Sequence, residues 1–408
     1  MIPGWLTPQL RLTLSALGIA QIVNWGVLYY TLALIGPHIH EETGWSESFV
    51  YSGFAVATVV TGLLAPLSGQ AIDRLGGGPV MLTGTLLGAF GMALLSFSHD
   101  WTLYLAAWAV IGAGMSACLY DSAFAAIARL AGTATRQSIS LVTLIAGFAS
   151  TVSWPATYFL LRFFNWREVA LIDAGLMISI SLPCLYIGLK APAVADHSSV
   201  LEKDRTTTPA VNYLQPMIPE TLFPLAMTLF SIVITALGFV ANALSVHVIT
   251  LFQRLEIDPG SAILAGVLIG PAQVGARVLE LVFGRRLSAI GLGLVPVILM
   301  PVAFAIPLVL GSHAMVAVFF GLVYGAANGL ATIARGVVPY ALFGPAGYGR
   351  RLGLMSAPAL LVKATAPAIF ASMLALYGPL GAVLFALAVS LCATAAMLCL
   401  GWLVNRNR

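Results

Sequence analysis

Five ionisable side chains lie inside long apolar stretches of this chain: Asp121, Arg277, Glu280, Arg335 and Lys363. A charge in such a setting costs several kcal/mol unless it is used or paired, so each is a candidate functional group. Arg277 and Glu280 are three apart, a spacing at which opposite charges on one helix neutralise each other. Lys363 has no acidic residue within one helical turn. An ammonium so placed calls for a substrate carboxylate, a distant structural carboxylate, or a part in proton coupling. Asp121 and Arg335 occupy similar depths in two different apolar segments, where a pair between them would form a gate. Asn242 and His247 fall together in a further segment; a histidine there serves either as a titrating group or as a hydrogen-bonded structural one.

The elements that hold these residues follow from composition. Only 8% of the 408 residues are Asp, Glu, Lys or Arg and 60% are hydrophobic, against about 25% charged in soluble domains. With a mean hydropathy of +0.97, lipid must be the solvent for most of the chain. Apolar runs long enough to cross a bilayer recur at 10–37, 47–71, 79–97, 102–129, 137–162, 167–189, 221–250, 260–284, 289–310, 314–341, 352–376 and 380–403. The expected fold is an all-α integral membrane protein of twelve transmembrane helices. Arg11 precedes an apolar stretch longer than a signal-peptide core, so the first run is expected to remain as helix one.

A charged, Pro- and Ser/Thr-rich stretch, 190–219, divides the chain into an N-terminal six-helix half (1–189) and a C-terminal six-helix half (220–408). The halves read as diverged copies, hence pseudo-symmetric. Gly112-Ala113-Gly114 before Asp121 matches Gly325-Ala326-Ala327 before Arg335 at an offset of 213, and Trp154-Pro155 matches Ala366-Pro367 at 212. Parallel six-helix repeats place a solute site near the bilayer midplane between them. With both termini in the cytoplasm, thirteen Lys and Arg fall inside against Arg162, Arg167 and Arg254 outside, a positive-inside bias. The outer loop expected at 38–47 carries Glu41, Glu42 and Glu47.

Between the second and third spans runs Gly69-Gln70-Ala71-Ile72-Asp73-Arg74-Leu75-Gly76. It resembles the signature loop of the major facilitator superfamily (MFS), Gly-x-x-x-Asp-Arg/Lys-x-Gly, and the twelve-helix, two-half layout extends the likeness over the whole chain. The resemblance implies that Asp73 accepts hydrogen bonds from a neighbouring helix N-terminus or arginine and latches the cytoplasmic side in the outward-open state. Gly69 would permit close helix approach, Gly76 a tight turn, and Arg74 completes the motif. The sequence departs from the pattern at Gly77 and Gly78, where basic residues are usual, and at Trp108, where many proton-coupled members have arginine. It also lacks the Gly-Pro-rich fifth-helix motif of drug–proton antiporters.

Helical geometry groups the polar residues into stripes. Tyr324, Asn328 and Arg335 fall within about 40° of one another; Gln273, Arg277 and Glu280 share a face, as do Ser356, Lys363 and Pro367. Gln21, Asn24 and Thr31 form a stripe in helix one, and Thr143, Ser150 and Trp154 in helix five. By the resemblance these lie on cavity-lining helices. The expected substrate-binding set is therefore Asn24, Trp154, Asn242, Tyr324, Asn328 and Lys363. The expected gating or coupling set is Gly69, Asp73, Arg74, Gly76, Asp121, His247, Arg277, Glu280 and Arg335.

Three buried cations against two acids, with Asp173 nearer the outer surface, favour a secondary carrier of a small organic anion coupled to protons. Export of a toxic drug-like compound or metalloid, or carriage of an aromatic vitamin-like solute, are the alternatives, the aromatics Trp25, Tyr29, Trp154 and Tyr324 suiting a flat ligand. A membrane sensor is the non-transport alternative. No His-Glu-x-x-His, Gly-x-Ser-x-Gly or Gly-x-x-x-x-Gly-Lys motif is present, so an enzyme is not expected. Neither is a cofactor or a resident metal; His38-Ile39-His40-Glu41 sits in a predicted loop without a further ligand. Cys118, Cys184, Cys392 and Cys399 lie in apolar runs as small hydrophobes, a thiol site for a soft metalloid being the other reading. The scattered basic residues give no nucleic-acid footprint. The expected setting is a bacterial-type inner membrane, with the protein working as a monomer.

Overall fold

The computed structural model describes residues 5–190, 215–284, 287–311, 313 and 315–407. Most of the 190–219 linker therefore lies outside the described residues. Among the described residues, twelve helices are long and apolar enough to cross a membrane: α1 Pro8–Thr43, α2 Glu47–Leu75, α3 Gly77–Ser96, α4 Trp101–Leu130, α5 Gly132–Leu160, α6 Trp166–Leu189, α7 Glu220–Arg254, α8 Pro259–Phe283, α9 Ala289–Leu310, α10 Met315–Phe343, α11 Tyr348–Leu376 and α12 Gly378–Arg406. No strand occurs among the described residues.

Short polar residues start these helices by accepting from otherwise unpaired amides. Asp100 takes Thr102 N at 2.8 Å and Leu103 N at 2.9 Å, Asp258 takes Ser261 N at 2.9 Å, and Asn165 with Glu168 makes a reciprocal capping box. One expected boundary is corrected. The residues expected as an outer loop from 38 are helical through Thr43, because Thr43 Oγ1 bonds back to Ile39 O at 2.6 Å and the chain stops only where Gly44 adopts φ 70°. His38 and His40 are thus helical, and His40 Nδ1 is bonded to Trp45 O at 2.5 Å.

Four helices are interrupted in mid-course. α1 and α6 carry π-turns at Gly26–Tyr30 and Met177–Ser181. α4 breaks at Leu119, which is extended (φ −87°, ψ −163°), and α5 is interrupted at Gly147-Phe148 between Thr135–Ala146 and Ala149–Leu160. Neighbouring side chains take up the freed backbone groups, as lipid cannot: Gln21 Nε2 donates to Cys118 O at 2.7 Å, and Ser122 Oγ to Ser116 O at 2.8 Å.

The chain folds into two compact units. The first comprises Met1–Pro216 together with Phe343–Gly353, so this short stretch packs with the N-terminal helices although it follows α10 in sequence. Its helices pack closely wherever a side chain is missing. A Cβ on Gly112 of α4 would lie 2.3 Å from Ala57 O of α2, and Thr61 Oγ1 donates to Gly112 O at 2.9 Å across the same seam. Trp108 is buried because Gly53 leaves room for it: a Cβ there would lie 2.3 Å from the indole.

The second unit comprises Met217–Leu342 and Leu354–Arg408. Gly321, Gly325 and Gly329 form a one-residue-per-turn seam on α10, each facing a backbone carbonyl of α8, namely Ala265, Ile269 and Gln273 at 2.7, 2.6 and 2.7 Å from the missing Cβ. Such small-residue seams let helices associate by close packing where no hydrophobic force favours one apolar neighbour over lipid. Gly112 against Ala57 and Gly325 against Ile269 are the same contact in the two units, at matching sequence offsets of 213 and 212.

Candidate functional site

The last turn of α2 is built around Asp73. Its two carboxylate oxygens accept from Gly349 N at 2.9 Å and Arg350 N at 2.8 Å, the first-turn amides of α11, within the first unit. An anion at that helix end meets unpaired N–H groups and the positive end of the helix dipole. Gly69 is required by proximity, since a Cβ would lie 2.0 Å from Gly349 O; Gly353 likewise faces Ala65 O at 2.3 Å. Gly76 ends α2 at φ 89°, and Arg74 is exposed. Arg129 of α4 donates to the carbonyls of Ile72 and Asp73. Gly77, where the resemblance favours a basic residue, packs on Ala126, whose Cβ would be 2.3 Å from an added one.

Further into the first unit, the α1 π-turn and the α4 break assemble aromatic rings. Trp25 lies 5.1 Å from Tyr29 and 4.8 Å from Tyr120, Tyr29 lies 5.0 Å from Phe54, and Tyr30 meets Trp154 edge-on at 5.9 Å. Trp154 is 48% exposed. Asp121, half-buried, stands in the first turn of the second half of α4, next to Tyr120. The buried Trp25 Nε1 has no acceptor among the described residues.

Asn24 has a different place from the one expected. It is fully buried, donates to Thr85 Oγ1 at 3.4 Å and accepts from Ser181 Oγ at 2.7 Å. The whole Gln21, Asn24, Thr31 stripe is turned into the helix bundle, bonded to α4, α3 and α6. The α5 stripe is split by the Gly147-Phe148 interruption, leaving Thr143 buried and Trp154 exposed.

In the second unit α7 and α11 are joined by a ladder of side-chain-to-carbonyl bonds. Ser231 donates to Met355 O at 3.0 Å, Asn242 to Lys363 O at 2.7 Å, and Arg254 to Leu374 O at 3.1 Å. His247 Nε2 lies 3.0 Å from Pro367 O, which makes that nitrogen the donor, and its ring stacks on Phe370 at 5.8 Å. Pro367 explains the Asn242 bond: with no N–H it leaves the carbonyl four residues back, that of Lys363, without a helical donor. Asn242 supplies one. Lys363 is half-buried near the middle of α11, whereas Ser356, expected on its face, is fully buried.

On α8, Arg277 and Glu280 are 5% and 7% exposed, and Arg277 Nε lies 3.5 Å from Gly329 O of α10. Tyr324 is turned away from the expected stripe: it is 2% exposed and stacks on Phe320 at 5.3 Å, with Phe304 of α9 at 6.5 Å. Asn328 and Arg335 remain half-buried on their own face of α10. A cavity of about 830 Å³ lies between α7, α11 and α12, lined by Met227, Ser231, Phe239, Met355, Val362 and Phe385 among others.

The sequence profile of the Major Facilitator Superfamily matches residues 17–329. The chain belongs to this family. The crystal structure of the human organic anion transporter MFSD10 (TETRAN) superposes with a TM-score of 0.71 at 16% identity, covering 96% of this chain and all (100%) of the other, a likeness of fold. Curated relatives include monocarboxylate transporter 13 of Rattus norvegicus, 24% identical over 176 residues (43% of this chain, 39% of the relative). Multidrug resistance protein MdtH of Aeromonas salmonicida (strain A449) is 27% identical over 162 residues (39% of this chain, 40% of the relative). The match thus spans about two fifths of the length of each curated relative.

Proposed function

We propose that this MFS protein is a proton-coupled secondary transporter of a small organic anion, working by alternating access. The observation that carries the proposal is Lys363, an ammonium at mid-depth in α11 whose backbone is pinned to α7 through Asn242 at the Pro367 gap. Fixing the backbone at that point fixes the origin from which the lysine side chain extends, a first requirement of a carboxylate site. Two further observations support it. Trp25 offers a buried N–H to a ligand oxygen beside an aromatic wall, and relatives named for monocarboxylates and organic anions share sequence or fold. Asp121, His247, Arg277, Glu280 and Arg335 are assigned to gating or coupling, and Asp73 to stabilising one state of the cycle. The same proposal puts both termini on the cytoplasmic side of a bacterial-type inner membrane and takes a monomer as the working form.

A second reading, export of an apolar drug-like compound, draws on the 830 Å³ cavity of α7, α11 and α12 and on the likeness to MdtH. Proteoliposomes with an imposed pH gradient separate the two when offered carboxylates, aromatic heterocycles and arsenite in parallel. Carboxylate uptake is expected. Lys363→Ala should reduce it by about 10–100-fold, the loss of one charge-assisted hydrogen bond. Undiminished carboxylate uptake by a correctly inserted Lys363→Ala protein rules out the assigned contact.

A further inference from the structure

Asp173 is an acid that neither the gating nor the binding set uses. It lies in α6, 3% exposed, a costly place for an ionised carboxylate. Among the described residues its side chain has one hydrogen-bond partner, Thr31 Oγ1, 2.8 Å from Oδ2. The helices packed against this part of α6 are α1 and α3. α3 carries no titratable side chain between Gly77 and Ser96. On α1, Tyr29 and Tyr30 belong to the aromatic cluster. Further along α1, His38 pairs with Glu41 at 3.9 Å, His40 Nδ1 is bonded to Trp45 O at 2.5 Å, and Glu42 pairs with Arg167 at 2.9 Å. On α6 itself Arg167 is also held by Ser96 O and Ser98 O, and Glu168 by Asn165 N; Cys184 lies beyond the π-turn, on the other side. No cation therefore faces Asp173 among the described residues.

Thr31 has a single hydroxyl proton and two acceptors for it: Asp173 Oδ2 at 2.8 Å and Gly26 O at 3.3 Å. Gly26 O is the carbonyl that closes the α1 π-turn through Thr31 N at 3.1 Å. When Asp173 is ionised, the hydroxyl proton must serve the carboxylate. When Asp173 takes up a proton, its O–H donates to Thr31 Oγ1 and the hydroxyl proton turns to Gly26 O. The second arrangement is a continuous chain of neutral donors and acceptors ending on the π-turn. One O–H bond forms at the carboxylate and no other covalent bond is made or broken; the Thr31–Asp173 hydrogen bond reverses direction and the hydroxyl proton is committed to Gly26 O. π-turns mark functional positions in helices with above-chance frequency, and this one carries Tyr29 and Tyr30 into the aromatic wall.

We infer that Asp173 is a proton-binding site of this protein, with Thr31 passing its protonation state to the π-turn of α1. Its part in coupling rests on the proton-driven transport proposed above; the binding of the proton does not. The test is an infrared titration of the purified full-length chain in detergent from about pH 5 to about pH 9, above the range in which solvated carboxyls titrate. The expected result is a protonated-carboxyl band that disappears as pH rises. The band should be lost in Asp173→Asn, kept in Asp121→Asn and Glu280→Gln, and displaced in frequency in Thr31→Val and Asp173→Glu. A band that survives Asp173→Asn, or stays in place in both Thr31→Val and Asp173→Glu, overturns the inference, as does the lack of any titrating carboxyl in the unmodified protein. In proteoliposomes with L-lactate as probe, Asp173→Asn should keep lactate exchange at equal pH and lose at least tenfold of pH-driven accumulation. Failure of the unmodified protein to move lactate or other carboxylates would count against the transport proposal, while the infrared titration still decides for or against Asp173.

Discussion

Replacing Asp73 by alanine removes both acceptors from the first turn of α11. Each is a hydrogen bond from a backbone N–H to an ionised carboxylate, worth about 1.5–3 kcal/mol when shielded. The Gly349 bond is partly buried and the Arg350 bond is exposed, so solvent screening reduces the sum to about 2–3 kcal/mol. Converted to local opening, that is roughly 30–150-fold faster amide exchange. Hydrogen–deuterium exchange with mass spectrometry reads this directly in a peptide covering 345–353. The end of α2 serves as an internal control, because Arg129 holds the Ile72 and Asp73 carbonyls through the backbone, which the substitution leaves in place. Asp73→Asn should fall between the two, keeping one neutral acceptor while turning an amide NH₂ toward the other donor. Unchanged exchange over 345–353 in Asp73→Ala would refute the claim that this carboxylate caps α11.

Further substitutions test the seams of the second unit. Asn242→Leu should lower stability by about 1–3 kcal/mol, the cost of a carbonyl left without a donor, seen as a lower unfolding temperature in detergent. Pro367→Ala restores a helical N–H to Lys363 O, so the double variant Asn242→Leu/Pro367→Ala should regain much of that loss; strict additivity would contradict the assignment. Gly325→Ala, whose Cβ would lie 2.6 Å from Ile269 O, should cost about 1–3 kcal/mol as an overpacked contact with backbone. Gly238→Ala, with open space at its Cβ, should not destabilise, and equal effects from the two would contradict the α8–α10 seam.

The membrane helices were legible because hydrocarbon imposes one requirement on every span, a run of apolar residues of sufficient length. The Asp73 loop was legible through its resemblance to the superfamily's signature loop; the spacing of a carboxylate among glycines does not by itself say which helix end it caps. The faces were less so. A helical wheel gives the angle between two side chains on one helix but not the rotation of that helix against its neighbours. Asn24 shares a buried face with Gln21, as the spacing predicts, whereas Tyr324 is turned away from Asn328 and Arg335; both Asn24 and Tyr324 point into their own unit. The α4 break left no sign, since Ser116-Ala117-Cys118-Leu119-Tyr120 contains no proline or glycine and is held open by Gln21 from another helix. A proline four residues after Lys363 did signal a freed carbonyl; that Asn242 would reach it depended on packing. Gly349 and Gly353, one turn apart, were the available hint that the start of α11 approaches another backbone.

The stretch Phe343–Gly353, which packs with the N-terminal helices, sets an order of events during synthesis. Asp73 and Gly349 are separated by 276 residues. At about 5–20 residues per second on the ribosome, the α2 end waits roughly 15–55 s after it emerges before its partner exists. Through that interval the growing chain carries an unoccupied carboxylate and a bare Gly69 groove at the end of α2. The N-terminal six helices expressed alone would keep that end open permanently. Supplying the missing segment in trans, as part of a separately translated C-terminal half, should be what allows a split chain to assemble.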